Sequence, residues 1–304
     1  MTERTRLGFI GLGQMGGAMA ERLLRDEVEL HVFDTSPEAL EMFESRGAVP
    51  HASPRDVADA AGIVFACLPD QGVSEAVAHG ANGVIHGGAI RIYAEMSTIG
   101  KSCIEGIASR LSQAGISTVD APISGGPPAA REGRLTMLAS GPQNALHGVL
   151  PWLNCIGRQT YLLGDRAGQA QIMKVVNNIV MAANMIVASE GLVMGAKAGL
   201  EAGKMMEVLQ AGTGQSASAG ILARSALTGG FDFGAHLSIV EKDVKLGLQE
   251  AGALGVPVAA MRATGEFWTS AVREGRGSMD FTEIIKLVEE PAGVIVRAAS
   301  CLNT

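Results

Sequence analysis

The stretch Leu7-Gly8-Phe9-Ile10-Gly11-Leu12-Gly13-Gln14-Met15-Gly16 decides the fold of the N-terminal half. An apolar strand, Leu7–Ile10, runs directly into a glycine pattern that opens a helix. A G-x-G-x-x-G pattern alone is weak evidence in a chain with 40 glycines. In this context, Gly11 permits a tight turn, Gly13 lets the backbone approach a pyrophosphate, and Gly16 allows close packing of helix on strand. We therefore predict a dinucleotide site at residues 11–16.

An acidic residue follows the second predicted strand and bears on the choice of cofactor. A carboxylate at Asp34 can bind the hydroxyls of the adenosine ribose. It would also repel the 2′-phosphate of NADP, and no arginine follows before Arg46. We expect NAD rather than NADP. A glycine-rich turn that holds no ligand is the alternative interpretation.

The composition sets limits on the partners. The 304 residues suffice for two domains, and the 47% apolar fraction can fill sizeable cores. The formal net charge is -7 and basic residues are not clustered, which argues against nucleic-acid binding. The first ten residues lack the features of a signal peptide, so we expect a cytoplasmic protein. His and Cys residues are scattered without metal-ligand spacing, so we expect no metal.

Strands and helices alternate through the first half, which predicts a doubly wound parallel sheet and a Rossmann-type domain over residues 1–165. The predicted strands are Leu7–Ile10, Glu29–Phe33, Ile63–Cys67, Arg91–Glu95 and Thr118–Ala121, with Leu135–Ser140 and Thr160–Leu163 as two further candidates. The predicted helices are Gly16–Arg25, Pro37–Arg46, Pro54–Ala60, Gln71–Ala78 and Lys101–Ala114. Ser36 and Ser53 precede prolines as expected of N-caps.

The pattern changes in the second half, where residues 166–304 are predicted to form an all-helical domain. Apolar residues recur at three- and four-residue spacing from Gly168 to Gly199, which indicates one long helix joining the two domains. Polar residues interrupt this apolar stretch, so we expect a helix of a soluble protein and no membrane span. The remaining predicted helices are Glu201–Gln210, Ile221–Leu227, His236–Leu254, Pro257–Arg273 and Phe281–Ala299.

Three loops follow strand ends, where open α/β sheets bind their ligands. Leu68 and Pro69 follow one strand and Thr98 follows another, so we expect all three beside the cofactor, although each fits an ordinary turn. After a third strand, Ser124, Gly125 and Gly126 offer a hydroxyl and two backbone N–H groups, a suitable cradle for a carboxylate. A plain surface turn is the alternative.

Lys174 is the candidate for proton transfer. Oxidation of an alcohol needs a group that takes the hydroxyl proton, and burial among apolar neighbours moves a lysine toward that use. Asn178 lies four residues later on the same helix face, where it could hydrogen-bond the lysine. The alternative is a lysine at a helix edge with its amine in water.

Four segments together resemble the β-hydroxyacid dehydrogenase family, typified by 3-hydroxyisobutyrate dehydrogenase. The signature G-L-G-x-M-G-x-x-M-A is matched at residues 11–20, and D-A-P-x-S-G-G is matched at residues 120–126. A glycine, lysine and asparagine segment is matched by Gly164, Gly168, Lys174, Asn177 and Asn178. The element K-D-x-x-L appears as Lys242-Asp243 with Leu246. The resemblance covers nearly the whole chain.

The resemblance implies a role for each matched residue. Lys174 would be the catalytic acid or base with Asn178 assisting, and Ser124, Gly125 and Gly126 would bind the carboxylate of a small hydroxy acid. Lys242 would lie beside cofactor and substrate. The family also implies a homodimer or homotetramer joined through the helical domain.

One segment departs from the family pattern, and two other functions remain as alternatives. The stretch Phe231–His236 lacks the expected proline and well-placed phenylalanine, so the substrate can differ from hydroxyisobutyrate. Imine reduction on the same scaffold is one alternative, although those relatives usually replace the lysine. A non-catalytic NAD-binding module is the other. Reduction of NAD with a panel of hydroxy acids distinguishes the three.

Overall fold

The N-terminal half contains the predicted parallel sheet. The structure is a computed structural model that describes residues 4–298. The strands of the main sheet are β1 (Thr5–Ile10), β2 (Val28–Phe33), β3 (Val49–Pro50), β4 (Ile63–Ala66), β5 (Ile92–Glu95) and β6 (Ser117–Asp120). They are all parallel and lie in the order β3-β2-β1-β4-β5-β6. The order reverses between β1 and β4, which places a ligand-binding crevice at the carboxyl ends of these two strands.

Helices cover both faces of this sheet, so successive strand residues are apolar and buried. Val64, Phe65 and Ala66 of β4 alternate between two separate hydrophobic cores. The helices of this region are α1 (Gln14–Glu21), α2 (Pro37–Glu44), α3 (Pro54–Ala60), α4 (Gln71–His79) and α5 (Lys101–Gln113). The predicted N-caps are confirmed, since the hydroxyls of Ser36 and Ser53 accept hydrogen bonds from amides three residues later.

The two further candidate strands do not extend the parallel sheet. They form a separate three-stranded sheet with an unpredicted strand, in the order β7 (Ile123–Ser124), β8 (Leu135–Ala139) and β9 (Gly157–Leu162). The chain leaves the main sheet at Pro122, which has no N–H to continue the ladder and whose carbonyl accepts from Leu138. Strand β7 then pairs antiparallel with β8.

Two helices were not predicted from the sequence. Helix α6 (Gly126–Arg131) begins directly after β7, and α7 (Gln143–Ile156) lies between β8 and β9. Both contain prolines, at Pro127 in the first turn of α6 and at Pro151 inside α7. Proline in a helix interior removes a backbone hydrogen bond. The sequence around Pro151 therefore favours a loop, and only the packing of the apolar face of α7 stabilises the helix.

The second half is helical, as predicted. The chain divides into two compact units, the first ending at Lys174 and the second beginning at Val175. Helix α8 (Gln169–Lys197) starts in the first unit and continues into the second. The later helices are α9 (Ala202–Ala211), α10 (Ala217–Ser225), α11 (Leu237–Ala253), α12 (Ala259–Ala271) and α13 (Lys286–Ala292). They enclose a core that includes the fully buried Trp268.

The last two predicted helices are longer than those observed. A π-helical turn, Val272–Arg276, follows α12. A 3-10 turn, Phe281–Ile285, precedes α13, which ends at Gly293 with φ 64°. A glycine in the left-handed region stops a helix, so the predicted continuation beyond Ala292 is wrong. Ala299 itself lies outside the described residues, as does Cys301.

Helix α8 is the one helix within residues 4–298 that is long and apolar enough to cross a membrane. Its most apolar 18-residue window is 44% buried. Length and composition alone are weak evidence, because the core helix of a soluble protein meets the same criteria. Its buried face includes Ile179, Met185 and Leu192, which belong to the core of the second unit.

Candidate active site

The glycine turn after β1 has the shape that a pyrophosphate needs. Gly11 has φ 90°, and a Cβ there would overlap the carbonyl oxygen of Cys67. A Cβ on Gly16 would overlap the carbonyl oxygen of Gly11. At Gly13, by contrast, a Cβ would meet nothing within 4 Å. Gly11 and Gly16 are therefore needed by the turn itself, whereas the space at Gly13 is open to a ligand.

The start of α1 points amide groups toward that open space. Gly13 is the N-cap and supplies no side-chain hydrogen bond to the first turn. The amides of Gln14 and Met15 belong to that turn, and amides at a helix start favour negative charge. Leu12 is buried beneath the turn. These residues fit the phosphates of a dinucleotide.

Asp34 follows β2 and contacts the glycine turn. Its Oδ2 accepts a hydrogen bond from the backbone N–H of Leu12 at 2.5 Å, and its Oδ1 accepts from Ser36 at 2.8 Å. The carboxylate is thus held at the carboxyl end of β2. An apolar groove lined in part by Thr35, Val73 and Val77 lies in this region of the unit and suits a flat base.

The Leu68 and Thr98 loops are fixed by a buried carboxylate. The backbone N–H of Leu68 donates to Ser97 Oγ at 2.7 Å, and that hydroxyl donates to Glu95 at 2.5 Å. Tyr93 donates its hydroxyl to the other oxygen of Glu95 at 2.9 Å. Burial raises the pKa of Glu95, although these hydrogen bonds favour the ionised form. Leu68 and the Ser97–Thr98 segment are therefore brought together, whereas Pro69 has no such bond of its own to the loop. Their place beside a cofactor stays a prediction.

A second buried carboxylate, Asp120 at the end of β6, holds the start of α8. Its Oδ2 accepts from the backbone N–H groups of Gly168 at 3.0 Å and Gln171 at 2.9 Å. Ser140 Oγ accepts from Ala170 at 3.0 Å. Burial raises the pKa of Asp120 to about 6, against the opposing effect of these hydrogen bonds. A carboxylate at a helix start also meets the positive end of the helix dipole.

The predicted carboxylate cradle is a strand–helix junction and not a simple turn. Ser124 ends β7, Gly125 follows it with φ 141°, and Gly126 is the first residue of α6 with φ 72°. Both glycines lie in conformations that favour residues without a Cβ. A Cβ on Gly125 would also press on Ala129 and Leu135. The half-buried Ser124 hydroxyl thus stands beside backbone that only glycine adopts readily.

Lys174 lies on α8 in the first unit, with 8% of its surface exposed. It is three residues beyond Gln171, so the anchored first turn of the helix carries it. This burial does not fit the alternative of a lysine at a helix edge with its amine in water, since lysine is seldom so deeply buried without a specific interaction.

The second unit holds the remaining predicted residues. Asn178 Nδ2 donates to Asp243 Oδ2 at 2.6 Å. Lys242 Nζ lies 3.1 Å from the other oxygen of Asp243. Asn178 and Asp243 are both buried. Asp243 therefore links Asn178 of α8 with Lys242 of α11, a pairing that the sequence analysis did not predict.

Several residues with a part in this geometry were missed from the sequence. Gln171, Ser97 and Glu95 were assigned no function, and Asp120 was noted only as part of a motif. A glutamine one turn before the candidate lysine is the only local signal for Gln171. Its partners are far apart in the sequence, so no spacing rule finds them. Within residues 4–298, no three His, Cys, Asp or Glu side chains are grouped as metal ligands.

Two family models match consecutive parts of the chain. Residues 6–164 match the NAD binding domain of 6-phosphogluconate dehydrogenase. Residues 168–288 match the NAD-binding domain of NADP-dependent 3-hydroxyisobutyrate dehydrogenase. The two matches together cover most of both units.

Full-length relatives show the same similarity. 2-(Hydroxymethyl)glutarate dehydrogenase of Eubacterium barkeri is 31% identical over 97% of this chain and 99% of its own length. 2-Hydroxy-3-oxopropionate reductase of Escherichia coli K12 is 31% identical over 93% of this chain and 97% of its own. The crystal structure of 3-hydroxyisobutyrate dehydrogenase from Salmonella typhimurium has a TM-score of 0.82, with 25% identity over 93% of this chain and 99% of that one.

Proposed function

Because this chain belongs to the β-hydroxyacid dehydrogenase family, we propose that it transfers a hydride between NAD and a small β-hydroxy acid. The observation that carries the proposal is the burial of Lys174 on the anchored start of α8. That helix turn is bonded to the loop that contains Thr98, which follows β5. A proton-transfer group is thus held close to a cofactor loop within one compact unit.

The protein residues bind, orient and exchange a proton, while bound NAD would supply the hydride acceptor. The amides at residues 13–16 would bind the pyrophosphate, and Asp34 the adenosine ribose. Leu68, Pro69 and Thr98 would border the nicotinamide. Lys174 would take the hydroxyl proton as the alcohol is oxidised and return it in reduction. Asn178, one turn along the same helix, would assist, and Lys242 would stand beside substrate and cofactor.

The proposed substrate carries its oxygen on the carbon β to a carboxylate. The names of 2-(hydroxymethyl)glutarate, 3-hydroxyisobutyrate and 2-hydroxy-3-oxopropionate all describe such compounds. In this chain, Ser124, Gly125 and Gly126 would hold the carboxylate. The Phe231–His236 segment differs from the family pattern, and Phe231 has φ 46° with the Lys286 amine 4.4 Å from its ring centre. We propose a substituent larger or more polar than methyl.

NAD is proposed over NADP because of charge. Asp34 would face the 2′-position of the ribose, where a phosphate and a carboxylate repel each other. Thr35 and Ser36 follow in place of an arginine that could bind the phosphate. One matching family model is described as NADP-dependent, so the preference rests on Asp34 in this chain.

A second copy of this chain is the proposed partner of α8. Its face opposite the core carries exposed apolar side chains at Val176, Val180, Val187 and Met194, spaced by four and then seven residues. Met194 is 72% exposed and Val187 is 66% exposed. A continuous stripe with this spacing is typical of a helix that pairs with another helix. The same stripe on two copies would form a symmetric interface.

The proposed function is tested by following NADH formation with a panel of acids. The panel contains lactate, 3-hydroxypropionate, 3-hydroxyisobutyrate, 2-(hydroxymethyl)glutarate, serine, threonate, 4-hydroxybutyrate and a neutral diol. We expect the highest kcat/KM with a β-hydroxy acid. Highest activity with lactate or with the diol would overturn the substrate class, and no activity with any member would overturn the proposed reaction.

A further inference from the structure

One buried side-chain amide joins two segments that lie far apart in the chain. Gln171 in the first turn of α8 is fully buried. Its Oε1 accepts from the backbone N–H groups of Ile99 at 2.9 Å and Gly100 at 3.0 Å. Its Nε2 donates to the carbonyl of Ser97 at 2.9 Å and to Asp120 Oδ1 at 2.9 Å. A carboxamide has two donor hydrogens and two main acceptor positions, so all four are used.

These bonds fix the orientation of the amide. A rotated amide would turn its NH₂ toward the N–H groups of Ile99 and Gly100, and its oxygen toward the carboxylate of Asp120. On both sides of the rotated amide, buried polar groups would then lack a hydrogen-bond partner, which is costly in a core. The Ser97–Gly100 loop and the first turn of α8 therefore have one mutual arrangement.

The helix is fixed at the same point by Asp120, whose other oxygen accepts from the backbone amides of Gly168 and Gln171. Asp120 itself ends β6 and pairs with Ser140 through an antiparallel bridge. The start of α8 is thus attached both to the sheet and to the loop after β5. Lys174 lies one turn further along α8, and Thr98 lies between two residues that bond Gln171.

We propose that Gln171 is a positioning residue that sets the placement of Lys174 relative to the cofactor loop at Thr98. The inference rests on the proposed function, because it requires Lys174 to act on a substrate whose reacting carbon faces the nicotinamide. Gln171 touches neither reactant in this role. Displacement of a reacting group by ~1 Å can cost ~100-fold in rate, so a small change in this attachment has a large effect.

Gln171→Met is the main test, since methionine keeps the length of the side chain and loses all four hydrogen bonds. We expect the single-turnover rate constant for NADH formation to fall by ~10–100-fold at unchanged amplitude. A merely structural role would instead lower the amplitude, which counts folded active sites, and leave the rate constant unchanged. The KM for the acid should change less than the rate constant, because Ser124 does not bond Gln171.

Two companion variants sharpen the result. Val149→Ala removes two buried methyl groups from α7, which makes none of the Gln171 hydrogen bonds, and should leave the rate constant unchanged. The double variant Gln171→Glu with Asp120→Asn reverses the direction of the side-chain bond between the two positions. Its rate constant should exceed that of Gln171→Glu alone, in which two carboxylates face each other.

Amide hydrogen exchange gives a readout that does not depend on activity. In Gln171→Met, the amides of Ile99 and Gly100 should exchange at least ~10-fold faster than in the wild type, as expected when a buried bond is lost. If the wild-type chain turned over no acid, the proposed function would fail while exchange still measured the attachment. Unchanged protection of Ile99 and Gly100, or an unchanged rate constant at full amplitude, would overturn the role of Gln171.

Discussion

Asp34 Oδ2 accepts a hydrogen bond from the backbone N–H of Leu12 at 2.5 Å, which joins the end of β2 to the glycine turn after β1. The carboxylate that we propose for the ribose therefore also holds the turn that we propose for the pyrophosphate. A substitution of Asp34 changes both the cofactor preference and the shape of the turn. Its variants therefore need a control that keeps the contact with Leu12.

We expect the wild type to prefer NAD over NADP in kcat/KM. Asp34→Ala combined with Thr35→Arg should narrow or reverse that preference, because it removes a repelling carboxylate and adds a guanidinium that binds the 2′-phosphate. Thr35→Arg alone is the control, since it keeps the Leu12 contact. Steady-state kinetics with both cofactors provide the comparison, and a wild type that already favours NADP would contradict it.

Lys174→Ala should lower kcat by at least ~100-fold, the low end for loss of a general acid or base. Binding of NAD should persist, because the glycine turn and Asp34 are unchanged. Turnover and cofactor titration by fluorescence measure the two effects separately. The control is Lys204→Ala, an exposed lysine paired with Glu207, which should keep wild-type turnover. If the turnover of Lys174→Ala stayed within a few-fold of the wild type, Lys174 would not be the general acid or base.

Ser124→Ala should raise the KM for acids more than the KM for a neutral diol. Its hydroxyl would hydrogen-bond the carboxylate, and loss of one bond to a charged group costs about 1.5–3 kcal/mol, or roughly 10-fold or more. The diol has no carboxylate to lose. Equal changes in KM for both classes would place the carboxylate elsewhere.

Asp120 should make stability depend on pH in an unusual direction. Its pKa rises from 3.8 to about 6 on folding, so the native state holds a proton that the unfolded chain has lost. Stability from this group is therefore lost as the pH rises from about 4 to about 6, by about 3 kcal/mol at 1.36 kcal/mol per unit. Urea unfolding of wild type and Asp120→Asn across this range measures the difference. If the free energy of unfolding of the two proteins changed equally with pH, the Asp120 carboxyl would not be the cause of the pH dependence.

The combined variant Val180→Glu and Val187→Glu should dissociate the proposed oligomer, because it places carboxylates in the apolar stripe of α8. Light scattering after size-exclusion chromatography gives the mass of each species. Val208→Glu is the matched control, since this valine on α9 is 70% exposed and lies off the stripe. A wild type that is monomeric at micromolar concentration would refute the interface.

The parallel sheet and its glycine turn could be predicted because their signals are local. Each of the five predicted strands contains a short apolar run, whereas the two-residue strand β3 is too short to give such a signal. The serines before Pro37 and Pro54 cap helices through contacts only three residues long. Helix α7 could not be predicted in the same way, since Pro151 interrupts its pattern and only tertiary packing of its apolar face compensates. The separate small sheet depends on where Pro122 turns the chain.

In the candidate site, too, residues with a local sequence signal could be predicted and residues that depend on distant contacts could not. Lys174 and Ser124 lie in segments whose composition indicates chemistry, so the sequence identifies them. The Gln171 contacts span 51 residues to Asp120 and 74 to Ser97, and no periodicity encodes such distances. Buried polar networks of this kind are selected by the geometry of the folded chain and leave little trace in neighbouring residues.

The different surroundings of the three glycines have an evolutionary consequence. A descendant of this chain that lost its cofactor would still need Gly11 and Gly16, because the polypeptide itself occupies the space of their missing side chains. Gly13 borders open space and would be released to vary. In a diverging lineage that loses the cofactor, the first substitution in the glycine pattern is therefore expected at Gly13. Gly11 and Gly16 would be retained for the fold alone, so their presence would no longer indicate cofactor binding.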